Sequence, residues 1–245
     1  MAPDEHEQPD ADQPANDDVD GLLDIIERAI STGRPIDVIG LASAAIAIVL
    51  FPEKEEDPER FVLREKVLEQ VVLRYVEVGS TEALIYANAL TLLLPNDTLR
   101  TSLAPALDGS EPALPEWLAR AEAAVLEQPT IVRDLFDDDE WLLAGVRFAD
   151  GSRFSFRVEI NHDTDSAATD AILMPNDVDD VRQRLRASGS EEELAIIDTD
   201  ATDFWARYTE AVALADELDT PGRSDTWPSC RPAIEWALRQ APAAG

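Results

Sequence analysis

The spacing of apolar residues changes once along this chain, from helical to strand-like, near Gln128, and that change limits the fold more than any other feature. Beyond it, Phe154, Phe156, Val158 and Ile160 alternate with Arg153, Ser155, Arg157 and Glu159. That is the period-two pattern of a strand with one face on a core and one face wet. Asp150-Gly151 just before it is a hairpin signal, and the apolar stretch 141–148 supplies the partner strand. A further strand is predicted over 130–136, with the acidic run 137–140 as the turn between them. Together these make an antiparallel meander with its hairpin at 141–160. After it come a short apolar strand at 171–174, a helix over 176–188 and a strand at 194–197. A helix over 200–218 is capped by Asp200 or Thr199, and a last helix follows Pro228.

Before Gln128 the period is helical. Leu22, Leu23, Ile25, Ile26 and Ile30 form one stripe that Gly33 ends. Pro35 suits the first turn of a second helix, apolar on nearly all sides through Leu50, which predicts a buried central element. A third helix is predicted over 58–78, and a fourth after a Ser80 or Thr81 cap up to Pro95. A short fifth helix is expected behind an Asp97 cap, and a sixth after Pro115 through Trp117, Leu118, Ala121 and Val125. The predicted class is α+β: an N-terminal helical bundle followed by an antiparallel β-meander covered by helices. The expected division is an acidic tail at 1–18, a helical domain at 19–127 and an α+β domain at 128–245.

Charge narrows the function classes. The chain has 51 acidic side chains against 20 basic ones, a formal charge of -31. Eight of the acids fall in the first twenty positions, and residues 1–18 hold no large apolar residue after Met1, so that segment is expected to stay disordered. Direct nucleic-acid binding needs clustered Lys and Arg and is not expected, nor is adsorption to an anionic membrane. The strongest apolar run, 38–51, holds 14 residues without a charge. As a helix it is about 21 Å long, short of a hydrocarbon core of roughly 30 Å. With no signal-peptide pattern at the start, the reading is a cytoplasmic chain. A single cysteine, Cys230, excludes an internal disulfide and is expected to be inert.

The constellation with the most chemistry is the strand-end stretch 159–170: Glu159, Asn161, His162, Asp163, Asp165 and Asp170. His162, Asp163, Asp165 and Asp170 are the candidate metal ligands, and His162 oriented by Asp163 is a candidate general base. The spacing fits no template: an EF-hand loop from Asp163 would need glycine at Ala168 and glutamate at Met174. Acids in such loops more often cap backbone N–H groups and stay solvated. The acids at 198–203 read as a helix start, and those at 137–140 as a turn. No phosphate-binding glycine loop, nucleophile elbow or zinc-protease string occurs, and no cofactor is expected.

The hairpin, the stretch 158–162 ending in Asn161-His162, Asp170-Ala171, and the Pro175-led helix rich in Asp together resemble a group of uncharacterised actinobacterial proteins. In that group a strand ends in Asp-His-Asn and a Lys-Asp-Ala follows. Here Asn161, His162 and Asp163 stand in the first place, and Thr169 replaces the lysine. The resemblance covers roughly residues 130–190 and implies the domain layout, with no activity attached.

The leading expectation is a non-catalytic interaction or regulatory protein with a protein partner. The alternatives are a metal-dependent enzyme with its site in the 159–170 loop, and an acidic mimic of nucleic acid that occupies a basic partner surface. Oligomeric state is left open by the sequence.

Overall fold

Nine helices and a five-stranded antiparallel sheet are present among the residues that the computed structural model describes, 14–51, 58–108, 114–134, 139–188, 194–217, 224 and 226–240. The helices are α1 (Pro14–Ser31), α2 (Pro35–Leu50), α3 (Pro58–Val78), α4 (Thr81–Leu93), α5 (Asp97–Asp108), α6 (Glu116–Ala119), α7 (Val178–Ser188), α8 (Ala201–Glu217) and α9 (Thr226–Arg239). The strands are β1 (Val125–Asp134), β2 (Asp139–Arg147), β3 (Arg153–Asn161), β4 (Ala167–Met174) and β5 (Leu194–Asp198), in the order β4-β3-β2-β1-β5. The chain is therefore α+β, as the change of period predicts. No described helix is long and apolar enough to cross a membrane.

The predicted hairpin is present, with Arg147 paired to Arg153 and Asp139 to Asn161. Gly151 takes a φ of +86°, which a residue with a Cβ rarely adopts, and Gly145 pairs with Ser155 across β2 and β3. Phe154, Phe156, Val158 and Ile160 are all 0% exposed, so the alternation marks the core face correctly. The opposite face is less wet than expected. Helix α7 lies over part of it, and Val178 stands where a Cβ on Gly145 would meet it at 2.8 Å. Glycine is required there by close approach.

Four other expectations are corrected. Helix α1 starts at Pro14, inside the expected tail, since proline suits a first turn and the acids there favour a helix N-terminus. The tail residues 1–13 lie outside the described residues. Helix α5 is capped by Asn96, whose Oδ1 accepts from the amides of Thr98 at 2.8 Å and Leu99 at 3.3 Å, so Asp97 becomes its first residue. The sixth helix ends at Ala119, because Val125 pairs with Arg147 and belongs to β1. Asp139 and Glu140 belong to β2 rather than to a turn.

One hydrophobic cluster includes residues of both halves, from Ile26 and Ile39 through Phe156 to Trp236. Helices α2 and α9 pack on each other, and both reach the sheet. Their junction is polar at one point. Ser43, 0% exposed, donates to the Ser229 carbonyl at 2.6 Å and accepts from the Ala233 amide at 3.1 Å. Those two backbone groups are four residues apart, the spacing that a regular helix joins to itself. The neighbouring Pro232 lacks an N–H, and the hydroxyl enters the ladder of α9 beside it. Ser43→Ala is expected to leave both groups without this partner and to cost about 1–3 kcal/mol. Chemical denaturation measures it, and a loss below 0.5 kcal/mol, roughly the weakest typical hydrogen bond, would show the hydroxyl to be dispensable.

Candidate functional site

The stretch 159–170 joins β3 to β4, and the structure divides its six polar candidates among three environments. At the tip, 162–164 form a single helical turn, and Asp165 and Ser166 take left-handed φ values of 55° and 65°. The Ser166 amide donates to the Asn161 carbonyl at 3.1 Å, which closes the turn. Asp163 and Asp165 are exposed there. His162 turns inward from them: its Nδ1 lies 2.7 Å from the Ser166 hydroxyl, and the ring is half-buried.

Glu159 and Asp170 sit lower, paired across β3 and β4, while Asn161 donates to Asp139 at 3.0 Å across β2. Burial pushes the Glu159 carboxyl up; Arg157 opposes this, and Asp139 and Asp170 reinforce it. The Arg157 guanidinium is 5.2 Å from the Trp141 ring centre on the same face of the sheet. Asp170 is held elsewhere. Its Oδ1 accepts from the Ser224 and Thr226 hydroxyls and from the Ala171 amide at 2.8 Å. Burial acts against ionisation of Asp170, and those donors outweigh it, holding the carboxyl below the usual range. Asp170 thus fixes the start of α9, where Ser224 also accepts from the Trp227 amide.

At its tip the loop therefore places an imidazole beside a serine and two carboxylates in solvent, with Glu159 and Asn161 among strand neighbours and Asp170 on a helix start. Among the described residues, no group of three or more His, Cys, Asp or Glu side chains is arranged to hold a metal ion. Cys230 is half-buried against the Ala171 carbonyl at 3.4 Å, and burial pushes its thiol up to about 11. A thiol so raised is a poor nucleophile near neutral pH.

Sequence reasoning missed the most deeply buried carboxylate, Glu140, which is 1% exposed. Arg133 on β1 donates to it at 2.9 Å and Arg207 on α8 at 2.7 Å, so it joins sheet to helix. A signal for it existed: Leu142, Ala144 and Val146 face the core, and counting back by two reaches Glu140. Similar ties hold the other layers. Arg182 of α7, 9% exposed, bonds Gln128 at 2.8 Å and Asp198 at 2.5 Å, and Gln128 in turn bonds Asp179 at 2.8 Å. Gln128 has a φ of 48° at the irregularity where the β1–β2 register shifts. Arg231 of α9 bonds Glu235 at 2.7 Å and Asp216 of α8 at 2.8 Å, with its guanidinium 4.5 Å from the ring centre of Phe51.

No protein-family model, curated protein or solved structure matches this chain.

Proposed function

We propose that this protein works without catalysis, by binding a protein partner through a rigid acidic surface. One observation carries the reading: the polar side chains best placed for chemistry are engaged in holding the fold together. Glu140 bridges the sheet to α8, Asp170 fixes the start of α9, and Arg182 ties α7 to β1 and β5. An active site instead needs groups of matched pKa converging on open space. His162 and Asp170, the two candidates nearest that description, have separate partners. A net charge of -31 keeps such a surface hydrated and steers positively charged partners toward it.

The competing metal-enzyme reading is tested by melting wild type and His162→Ala with EDTA, Mg²⁺, Mn²⁺ and Zn²⁺. The expected result is no saturable, metal-specific rise in Tm, and a cost of about 0.5–1.5 kcal/mol for His162→Ala from its hydrogen bond to Ser166. A bound ion at a hundredfold excess over its Kd would stabilise the fold by about 2.7 kcal/mol. Such a gain in wild type, absent from the variant, overturns the non-catalytic reading.

A further inference from the structure

We propose that β5 is a docking edge for an extended, Lys- or Arg-flanked segment of a protein partner, which adds to the sheet as a sixth strand. This rests on the interaction reading above and names its surface and its partner's chemistry. The two edges of the sheet are treated differently by the fold. At β4, the Ser224 amide donates to the Thr169 carbonyl at 2.9 Å, the Cys230 thiol reaches the Ala171 carbonyl, and α8 and α9 pack against the strand. At the opposite edge, β5 has β1 as its only strand neighbour among the described residues. Among the described residues, no backbone hydrogen bond reaches its outer side.

Register shows which groups are offered. The Thr199 amide donates to the Pro129 carbonyl at 3.1 Å, and residues 130–134 pair with 198–194 without a break. Antiparallel pairs alternate between bonded and non-bonded. Ile197 and Ala195 therefore exchange bonds with Ile131 and Arg133, while the N–H and C=O groups of Leu194, Ile196 and Asp198 point away from β1. Five residues present about 17 Å of such edge. Leu194–Asp198 contains no lysine, proline or bulge to blunt the edge, and its one charged residue, Asp198, stands at the end of the strand. Leu194, Ala195 and Ile196 are half-buried, and Ile197 is 41% exposed.

The charge around the edge selects the occupant. Asp198 closes the strand, and Asp200 and Asp203 follow it at the start of α8. Two arginines of the adjoining elements already have carboxylate partners: Arg133 bonds Glu140, and Arg182 bonds Asp198. A partner strand with apolar residues facing the sheet and basic residues at its ends matches this edge, because the main chain supplies affinity and the flanks supply selection. A second copy of this chain would bring the same acids against themselves at a net charge of -31 each.

The test uses the full chain and a synthetic peptide of alternating valine and threonine with lysine pairs at both ends. A twin with glutamate in place of lysine is the charge control. Binding is measured by calorimetry, and its location by amide hydrogen exchange. The expected result is binding of the lysine peptide with slowed exchange at Leu194, Ile196 and Asp198, and at least a tenfold weaker glutamate twin. Ile196→Pro removes an outward N–H and leaves the β1 bonds intact, so it should weaken binding at least tenfold. Ile196→Lys, which keeps the backbone, should act in the same direction if the proline variant fails to fold. Protection at another surface, or binding unchanged in the Lys variant, overturns the edge assignment and leaves the interaction reading standing. Equal binding of the glutamate twin overturns the basic partner, and no binding of either peptide overturns the proposal. A peptide-free dimer abolished by Ile196→Lys overturns it in favour of self-association.

Discussion

Phe148→Ala is expected to lower stability by about 3–5 kcal/mol. Phe148 is 0% exposed, just past the end of β2. Its ring meets Trp117 of α6 edge-on at 5.5 Å and stacks on Trp236 of α9 at 5.8 Å, with Phe154 of β3 at 6.1 Å. Helices α6 and α9, distant in sequence, and strand β3 therefore share one side chain. A cavity there is lined by large, well-packed rings that cannot all collapse into it. For a chain of this size the loss corresponds to a Tm roughly 10 °C lower. A shift of only a degree or two would mean that the rings repack freely.

Glu140→Ala should cost about 3 kcal/mol at neutral pH. Removing one member of a buried pair leaves its partners uncompensated, which costs about 3–5 kcal/mol when all are buried. The lower end applies because Arg133 is half-exposed, with 52% of its side chain in solvent, and Arg207 keeps 27%, so both can recover hydration. The pH dependence follows from the same contacts. Burial acts to raise the Glu140 carboxyl, but the hydrogen bonds and charges of Arg207 and Arg133 outweigh it and hold the group below its ordinary value. A carboxyl depressed in the folded state binds fewer protons there than in the unfolded chain. Its contribution is therefore complete above the ordinary carboxylate pKa of about 4.3 and disappears as pH falls through the lower, folded value. Glu140→Gln is the matching probe. Its gap from wild type in urea unfolding should be widest near neutral pH and close as the solution is acidified below about 4.3. A gap that stays constant across that range would show that the carboxylate charge contributes nothing.

These two positions also show how far the sequence reaches. The row from Phe154 to Ile160 and the Asp150-Gly151 turn are legible because period and turn chemistry are local. Helix α2 is legible for the same reason, although Ile48 on it is 80% exposed, so its apolar circumference does not map onto burial all round. What local pattern cannot supply is the identity of distant partners. Glu140 looks like a turn acid until Arg207, 67 positions later, is brought against it. Ser43 looks like an interruption of an apolar run until α9 supplies Ser229 and Ala233. Asp170 looks like a loop ligand until Ser224 and Thr226, 54 and 56 residues on, take its oxygen. The candidate site was legible as a cluster in sequence. Its division among three environments was not, because long-range packing decides it.

The central claim is that the helices before Val125 and the sheet that begins there are held as one cooperative unit through α9. Differential scanning calorimetry of wild type and Phe148→Ala tests it most directly. One transition, with calorimetric and van't Hoff enthalpies in agreement, is the predicted result, and the variant should displace that whole transition to lower temperature. Two resolved transitions in wild type, only one of which moves in Phe148→Ala, would contradict the claim.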